Sequence, residues 1–599
     1  MIRFGSFRAI FKQASRIRQA SFRRAHPWFA MPFAASCVFA GCGALAIPAI
    51  QGAGHESPLT GREITTQGYV TAVDRRGFYL QDEEGDGDSA TSDAIVVFTE
   101  NRPQVAVGER LEVQARVQEF VPGGTRTGNL SVTELTKPSI RRLGRLDALP
   151  PPVIIGPPGR MPPVSNIDDD GLASFDPADD AIDFFESLEA MRVRIEQPVT
   201  VSALNDYGEL FVLPGRGKSA TGRNARGGIT IAAGDFNPER VQLQLDRELP
   251  GGLRRAPDVG VALGDIVGVV GYSFGNYEVR ATEPFDIGPA RLRREITRLE
   301  AAHGQLTIAS FNVHNLGAHR GTAHDLPGRF AALARRIVSH LRSPDIVAVQ
   351  EILDSDGTGD SGGVDAGATA ARLIQELTAA GGPRYRYVDV APRDGADGGV
   401  PGGNIRAGFL YNPARVSLVE GSLRRIEGVR QTGGNAFVAS RKPLVAEFSF
   451  HDRRLIIVNV HLSSKRGSTP LFGRVRPPVD GNADRRTAQA AAIAAYLDGI
   501  AGTDAGIIVL GDFNDFDFSQ PLQIIGASAG GLVNLLGTLP ERERYTYIFE
   551  GNSQALDHVL VSPSLAANAE LDVVHINAEF VDRVSDHDPI LVRLHLPSP

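Results

Sequence analysis

The sequence contains very few cysteines. Its 599 residues include two, Cys37 and Cys42, and both lie close to the N-terminus. Beyond Cys42 a disulfide framework, a cysteine-ligated metal site and a cysteine nucleophile are therefore excluded. A protein without such crosslinks must be stabilised by burial of its core, and a chain of this length can bury a large one.

Acidic residues are absent before Glu56. The same stretch begins with a basic run from Arg3 to Arg24 and continues with apolar and small residues from Trp28 to Ile50. This order predicts an export signal over residues 1–50, cleaved at Ala44-Leu45-Ala46. Lipidation at Cys42 and an uncleaved membrane anchor are the alternatives. We expect a secreted or cell-envelope protein that meets a membrane only through such a lipid or anchor.

The remaining composition is that of a soluble globular protein with several domains. Hydrophobic residues make up 42%, charged residues 22%, and the formal net charge is -8,. Strand, turn and helix patterns predict four regions after the signal. They are an OB-like β domain (58–137), a Pro/Gly-rich linker (138–185), a second β-rich domain (186–290) and an α/β domain (305–597).

One strand end in the α/β region is rich in polar groups. The apolar run Ile507 to Val509 leads into Leu510-Gly511-Asp512-Phe513-Asn514-Asp515. Asp512 and Asn514 are two residues apart and leave the same face of the strand end, where they can hold a phosphate, a metal or an attacking water. Asp and Asn also favour turns at strand ends, so the pair alone does not establish a site.

Further polar motifs accompany this strand end in a fixed order. They are Phe311-Asn312, Val349-Gln350-Glu351, Asn459-Val460-His461-Leu462, Leu556-Asp557-His558-Val559 and Ser585-Asp586-His587-Asp588. Together they resemble the endonuclease/exonuclease/phosphatase superfamily, over about Leu306 to Leu596. The closer likeness is to bacterial extracellular nucleases of the ExeM type, through Gly402–Arg406, Ser440–Leu444, Tyr545–Tyr547 and Gly551–His558.

The resemblance implies a fold and a metal site. The fold would be an α/β, two-sheet sandwich flanked by helices, as in deoxyribonucleases, preceded by two small β-barrel-like units of OB type. The metal ligands would be Asn312, Glu351 and Asp586. Oxygen donors of this kind suit Mg²⁺, with Mn²⁺ or Ca²⁺ as alternatives.

The resemblance also implies catalytic roles. His587 would be the general base or the group that polarises the phosphate, and Asp557 would orient its ring. His461 would contact the scissile phosphate or protonate the leaving group. Asp512 and Asn514 would orient water and bind a phosphate oxygen.

Four arginines are candidates for substrate binding. Arg406 and Arg441 lie inside motif-like segments, and Arg474 and Arg476 lie in the basic stretch between Ser463 and Arg486. Such groups would hold nucleic-acid phosphates with little sequence preference and with strong salt dependence. Any one of them can equally be a surface arginine that only aids solubility.

Two further positions need comment. His314 stands where many relatives carry Asp or Asn, and it is either a site residue or a supporting or exposed histidine. Asp235-Phe236-Asn237 copies the motif at Asp512, and we interpret the copy as chance because no His-Asp motifs surround it.

The sequence therefore predicts an exported, monomeric, metal-dependent nuclease that hydrolyses phosphodiester bonds of DNA, with RNA as a further candidate substrate. One alternative is a phosphodiesterase of the same superfamily that acts on phospholipid or phosphoinositide. The other is a nucleic-acid-binding protein without catalysis. Endonucleolytic and exonucleolytic action are both left open.

Overall fold

A computed structural model describes residues 43–245, 255–318, 328–428, 430–431 and 434–596. Most of the predicted export signal, including Cys37 and Cys42, lies outside these residues. Among the residues that are described, no helix has the length and apolar character needed to cross a membrane. From Ala44 onward the chain forms one compact unit.

The first described region is a closed five-stranded barrel with the strand order β1–β2–β3–β5–β4. In its fourth strand the side chains alternate, and Leu111 and Val113 point into the barrel,. A short helix before the barrel buries Ile47 and Ile50 in the same core. The elements are α1 (Ile47–Gln51), β1 (Glu63–Val73), β2 (Gly77–Gln81), β3 (Ala94–Phe98), β4 (Glu109–Phe120) and β5 (Val132–Arg145). The OB-type assignment stays a prediction.

The second region forms a seven-stranded sheet with the order β6–β7–β12–β13–β11–β9–β8. Its elements are β6 (Val153–Ile155), α2 (Ala181–Glu186), β7 (Arg192–Ile195), β8 (Val199–Thr200), β9 (Glu209–Leu213), β10 (Ile229–Thr230), β11 (Val241–Gln244), β12 (Ile266–Ser273) and β13 (Asn276–Ala281). The two edge strands β6 and β8 are not paired with each other in the described part of the chain. The prediction of a second barrel is therefore corrected to an open sheet.

Parts of the predicted linker 138–185 belong to strands and to a helix. Strand β5 continues to Arg145, and β6 pairs in parallel with β7, with Ile154 opposite Arg194. Helix α2 is buried along its whole length. Apolar residues placed between the prolines explain this difference, because Ile155 and Phe184 join the core of the second region,.

The third region contains two packed sheets. One has the order β16–β17–β15–β14–β30–β29 and the other has the order β18–β22–β23–β24–β28–β25, with β19 beside β22. Its strands are β14 (Gln305–Leu316), β15 (Ile346–Ile352), β16 (Arg386–Asp389), β17 (Arg406–Tyr411), β18 (Ser417–Leu418), β19 (Arg424–Arg425), β20 (Arg430–Gln431), β21 (Gly434–Asn435), β22 (Leu444–Phe450), β23 (Arg453–His461), β24 (Gly506–Asp512), β25 (Val533–Asn534), β26 (Tyr547–Phe549), β27 (Asn552–Gln554), β28 (Asp557–Val561), β29 (Ala569–Val573) and β30 (Ile590–His595).

Helices cover the outer faces of this sandwich. They are α3 (Arg329–Arg335), α4 (Gly367–Ala379), α5 (Ala483–Gly499) and α6 (Gln520–Ala527). A short helix α7 (Pro563–Ala566) instead places Leu565 in the core between the sheets. Phe409 and Leu510 meet in the core between the sheets. Leu373 of α4 packs on the first sheet, and Ile493 of α5 packs on the second. The predicted α/β sandwich flanked by helices is confirmed.

The second region and the sandwich share a small sheet and a core. Strand β10 pairs in parallel with β27, so that Thr230 lies opposite Ser553. Phe472, from a loop of the sandwich, is buried in the core of the second region, where the Tyr272 hydroxyl donates to its carbonyl oxygen at 2.8 Å. Side chains from both domains therefore meet beside the sandwich edge that carries the polar motifs.

Candidate active site

Five of the predicted site residues lie at one edge of the sandwich because of strand direction. Strands β14 and β15 are parallel, and so are β23 and β24, which places His461 opposite Asp512. Strand β28 is antiparallel to β24 and begins at this edge, with Asp557 opposite Asp512. The carboxyl ends of these two parallel strand pairs thus converge on one place. Asn312 and Glu351 lie at the strand ends of the first sheet.

Gly511 permits the close approach of β24 to β23. Its φ is +135°, and a Cβ at this position would lie 2.1 Å from the carbonyl oxygen of Val460. Any other residue would push the strands apart just before His461 and Asp512.

Glu351 is held in an unusual backbone conformation. Its φ is +65°, and the register of β14 against β15 shifts just beyond Asn312. The Asn312 side-chain amide donates to one Glu351 oxygen at 3.1 Å, and the Asn315 backbone N–H donates to the other at 2.8 Å. Backbone strain of this kind persists where the surroundings fix a functional side chain.

His587 and Asp557 form a hydrogen-bonded pair. His587 Nδ1 lies 2.7 Å from Asp557 Oδ2, which also accepts from the Thr546 hydroxyl at 2.6 Å. Burial would lower the pKa of His587, but the charges of Asp557 and Asp512 outweigh it and hold that pKa well above its ordinary value,. The carboxylate fixes the orientation of the ring, so Nε2 is the nitrogen left to face the cleft.

Asp512 and His461 complete the floor of the site. His461 Nε2 lies 3.5 Å from Asp512 Oδ2 and 3.9 Å from Glu351 Oε1. Burial, with help from Asp557 and Glu351, raises the pKa of Asp512 to about 7. Burial, together with the nearby Arg441 and His587, holds the pKa of His461 well below its ordinary value. The two imidazoles of the site thus have opposite charge preferences.

Asn514 and Asp586 also line the site. The Asn514 backbone N–H donates to Asp512 Oδ1 at 2.8 Å. Asp586 Oδ1 lies 3.2 Å from His314 Nδ1. Burial would raise the pKa of Asp586, but His314 and His587 outweigh it and lower that pKa. His314 is therefore a residue that supports Asp586.

The donor set fits a divalent cation. Glu351, Asp512 and Asp586 are carboxylates around one cleft, and the Asn312 amide N–H donates to Glu351 and Asp512,. The raised pKa of Asp512 reflects burial among like charges, and a bound cation would relieve it,. Asp512, Asp557 and His587 also bring ligand atoms within 4.8 Å of one another. Asp557 Oδ2 already holds His587 and Thr546, so we assign Asp557 to the histidine.

The four predicted substrate arginines differ in their surroundings. Arg441 lines the cleft and donates to the Leu462 carbonyl, while its buried Nε has no hydrogen-bond partner among the described residues. Arg441 is thus placed to bind an anion in the cleft.

Arg406 is 4% exposed and donates to the Asn404 carbonyl and to Asp389. Its burial and these two contacts do not support a substrate contact for Arg406.

Arg474 and Arg476 lie on the loop that joins the domains. Arg476 Nε donates to Asp168 Oδ2 of the second region at 3.0 Å, and both side chains are buried. Arg474 donates through its backbone N–H to the Gly128 carbonyl of the barrel at 2.8 Å, and its side chain is exposed. The structure gives Arg476 a role between domains, and the substrate role of Arg474 stays a prediction.

The catalytic candidates at the sandwich edge border one cleft of about 1680 Å³. Its floor carries Glu351, His461, Asp512 and His587. One wall comes from the loop 464–482 and another comes from the second region. The volume exceeds the range of a site for one small ligand, so the cleft has room for a segment of polymer.

A family model decides the identity of the sandwich. Residues 309–587 match the model of the Endonuclease/Exonuclease/phosphatase family. The sandwich domain belongs to this family. The family name covers endonucleases, exonucleases and phosphatases, so the domain is that of a phosphate-ester hydrolase. The closer likeness to ExeM-type nucleases stays a prediction.

Other comparisons give weaker matches. Residues 154–289 match a domain of unknown function. Solved structures of similar proteins include a D. rerio TDP2 complexed with single strand DNA product (20% identity, 48% of this chain, 98% of that chain, TM-score 0.33) and the human Nocturnin catalytic domain with bound sulfate (16%, 49%, 95%, 0.34). A family protein from Bacteroides thetaiotaomicron is 18% identical over 48% of this chain and 94% of that chain, with TM-score 0.33. No curated protein matches the chain.

Sequence reasoning missed two contributors to the family site. Thr546 holds Asp557, and the Tyr547 ring lies 4.9 Å from the His587 ring. The motif Tyr545–Tyr547 was the available signal.

The copied motif Asp235-Phe236-Asn237 also takes part in the cleft, although we interpreted it as chance. Phe236 packs 6.2 Å from the Phe516 ring, and the Asn237 amide donates to Asn552 at 2.7 Å. These contacts join the second region to the family domain.

Proposed function

We propose that this protein is an exported, monomeric nuclease that hydrolyses phosphodiester bonds of DNA with the help of a bound divalent cation. The observation that carries the proposal is the His587–Asp557 pair at the floor of a large cleft, beside three carboxylates and a buried arginine. Hydrolysis of a phosphodiester needs an oriented water, compensation of phosphate charge and help for the leaving oxygen, and these groups can supply all three.

Each floor residue has a role that follows from its contacts. His587, oriented by Asp557, presents Nε2 to the phosphate or to the attacking water,. Asp512 and Asn514 share a hydrogen bond and would orient that water. His461, held neutral by burial, would donate to or accept from the leaving oxygen. Arg441 would bind a phosphate oxygen through its guanidinium,.

The cation would be held by Glu351, Asn312 and Asp586. When bound, it would neutralise phosphate charge and lower the pKa of a water molecule. We propose Mg²⁺, because carboxylate and amide oxygens without soft donors suit it, and Mn²⁺ and Ca²⁺ share this preference.

The charge of the cleft wall supports DNA as the substrate. Arg466 and Arg485 line the cleft together with Arg441, although the whole chain has a formal net charge of -8. Lys465 lines it too, but it is ion-paired with Asp480 and Asp515. Local basic groups beside a phosphodiesterase site favour a polyanion and predict binding that weakens with salt.

A phospholipid substrate is the second candidate, and one observation favours it. Phe274 and Phe549 are exposed aromatic side chains beside the cleft, as expected of a loop that contacts lipid. The arginines of the wall and the volume of the cleft favour nucleic acid instead.

The experiment compares substrates at equal enzyme concentration. Purified protein is incubated with plasmid DNA, linear DNA, RNA and sphingomyelin vesicles, each with Mg²⁺ or with excess EDTA, and the His587→Ala variant serves as control for contaminating nucleases. We expect DNA cleavage that needs Mg²⁺ and the native histidine. Hydrolysis of sphingomyelin without DNA cleavage would establish the second candidate, and full DNA cleavage in EDTA by demetallated protein would overturn the metal role.

Export is supported by the basic and apolar order of residues 1–50. Ala46 is exposed whereas Ile47 is buried in the barrel, which suits a mature chain that starts near Ile47. N-terminal sequencing of protein from the native host tests this, and a cytoplasmic chain that retains Met1 would contradict it.

A further inference from the structure

The outer part of the cleft presents large apolar side chains to solvent. Phe274 is 89% exposed, Val479 is 54% exposed and Phe549 is 52% exposed, and all three line the cleft that holds the catalytic floor. Single exposed apolar residues are ordinary on protein surfaces, but three on the walls of one functional cleft indicate a binding surface.

Phe274 comes from the second region, not from the family domain. It lies at the tip of the hairpin β12–β13, between the paired residues Ser273 and Asn276. Phe274 and Gly275 have φ values of +50° and +87°, which gives a two-residue turn of type I′,. The Gly275 backbone lies against Pro470 of the loop 464–482, because a Cβ added there would come within 2.3 Å of a Pro470 carbon. The hairpin tip is thereby fixed beside the loop 464–482, which forms a wall of the cleft.

Folding alone does not explain this phenylalanine. The first turn position favours Asn or Asp, and a left-handed conformation costs a bulky residue about 1 kcal/mol. The ring is 89% exposed, so its burial gives almost no stability in return,. An exposed and strained aromatic at a fixed place in the cleft indicates a ligand with a flat apolar face.

Tyr547 and Phe549 extend the aromatic surface inward to the site. They are two residues apart on β26 and so project from the same face of the strand,. The Tyr547 ring lies 4.9 Å from the ring of His587. The Cα atoms of Tyr547 and Phe549 are about 6.6 Å apart along the strand, roughly twice the 3.4 Å rise of stacked bases. A single nucleobase stacked between two rings would need a spacing of this size.

We propose that the outer cleft is a single-strand track, in which unpaired nucleobases stack on Tyr547, Phe549 and Phe274 while Arg466 and Arg485, which line the same cleft, contact the phosphates. This inference rests on the proposed nuclease function and names its preferred substrate, an unpaired strand or a frayed end. Aromatic rings interleaved with basic groups are the means by which proteins bind single strands without sequence preference. Paired bases are already stacked on each other, so a duplex could not use the rings without opening.

A membrane explains the same residues less well. The apolar side chains line a concave cleft whose lining also includes polar residues such as Asn552 and Gln554. A flat bilayer needs a convex and continuous apolar surface. We therefore make membrane binding an outcome of the test.

The test uses the full chain with three variants. Phe274→Asn suits the turn and removes the ring, Phe549→Ala removes the second ring, and Tyr207→Asn is the matched control. Tyr207 is an 81% exposed aromatic at another turn of the same domain and is not among the residues that line the cleft. The substrates are an oligo-dT single strand, a blunt duplex, bis(p-nitrophenyl) phosphate and sphingomyelin vesicles.

We expect each cleft variant to raise the KM for oligo-dT about tenfold, which corresponds to the loss of one base stack. Turnover of bis(p-nitrophenyl) phosphate should stay within about twofold, because so small a substrate does not reach Phe274 and Phe549 in the outer cleft. Phe274→Asn should melt no lower than the native protein. Tyr207→Asn should leave every value unchanged.

Two outcomes would overturn the track while the nuclease function stands. One is an unchanged KM for oligo-dT in both cleft variants of an enzyme that cleaves DNA. The other is loss of vesicle binding with unchanged oligo-dT kinetics, which would assign the rings to a lipid surface. Failure of the native protein to cleave any nucleic acid would instead overturn the proposed function itself.

Discussion

The floor and the walls of the cleft are built in different ways. The floor is a set of strand ends in which backbone register fixes neighbours, as for His461 and Asp512. The walls come from the loop 464–482 and from the second region. They are joined by the Arg476–Asp168 ion pair and by Phe472 of the loop, which is buried in the core of the second region. Rigid sheets hold the groups that need fixed geometry, while loops hold the groups that select a substrate. The floor should therefore control kcat and the walls should control KM.

Glu351→Gln should produce the largest effect and should fall on kcat. The amide keeps the shape and can still accept from the Asn315 N–H, but it removes the charge that would face the proposed cation and the phosphate,. We expect kcat to drop about 10³-fold with little change in melting temperature. Steady-state kinetics on DNA and a thermal melt measure both quantities. The exposed Glu420→Gln is the control, and an unchanged kcat would remove Glu351 from the floor.

His587→Ala and Asp557→Asn test whether the floor acts as one unit. Because Asp557 acts through the ring that it orients, each change should reduce kcat about 10²-fold or more, and the double variant should be no worse than His587→Ala alone,. Kinetics of both single variants and the double variant form the cycle. A double loss equal to the product of the single losses would show two independent groups.

Asp168→Asn should move the wall and leave the floor intact. It removes one partner of a buried ion pair, which costs about 3 kcal/mol and frees the loop around Arg476,. We expect the KM for DNA to rise several-fold at nearly constant kcat, with a lower melting temperature.

Replacing both partners of this pair with apolar residues, in Asp168→Leu with Arg476→Met, should recover part of the stability. Glu570→Gln breaks a surface pair with Arg593 and serves as the control,. A fall in kcat as large as that of Glu351→Gln would contradict the division between floor and walls.

Glu239→Gln should give the smallest effect, one that depends on pH. Burial raises the pKa of Glu239 to about 7, and the charge of Asp235 contributes to the rise. A hydrogen bond from Thr221 and the charge of Arg240 oppose it. A raised folded-state pKa gives stability that is full below about pH 4.5 and is lost as pH rises through 7. Glutamine does not ionise and so does not lose this stability. The free energy of unfolding of the variant, relative to that of the native protein, should therefore be about 2 kcal/mol higher at pH 8 than at pH 5.

Denaturant melts at the two pH values measure this difference, with the exposed Glu63→Gln as control. A gain that is equal at both pH values would mean that ionisation of Glu239 does not destabilise the wall.

The sequence was most informative where local pattern and function coincide. An apolar run that ends in polar residues predicts a strand end, and parallel strands bring such ends together. Asn312, Glu351, His461 and Asp512 therefore lie at one edge, as the motifs indicated. The two-sheet fold followed from the family resemblance, because alternation of strands and helices alone predicts only an α/β class.

The walls were not predictable, because their residues are distant in sequence and carry no local pattern. Nothing in the composition around Phe274 indicates that its hairpin meets Pro470. Arg441 and Arg476 look equally basic in sequence, yet one faces the cleft and the other is bound to Asp168. Prolines between residues 150 and 163 predicted a linker, although isolated apolar residues among them joined a core.

The pairing of β10 with β27 bears on when the enzyme becomes active. The small shared sheet cannot form until the segment that contains Ser553 has been synthesised, because Thr230 pairs with that segment. His587 lies still later in the chain. During synthesis from the N-terminus, the barrel can fold first, since all its strands lie before Leu146,. The substrate wall and the catalytic floor are completed only when nearly the whole chain has emerged. Under the proposed nuclease function, a partly made chain would leave nucleic acid around it uncut, and cleavage would begin only after the C-terminal strands have docked.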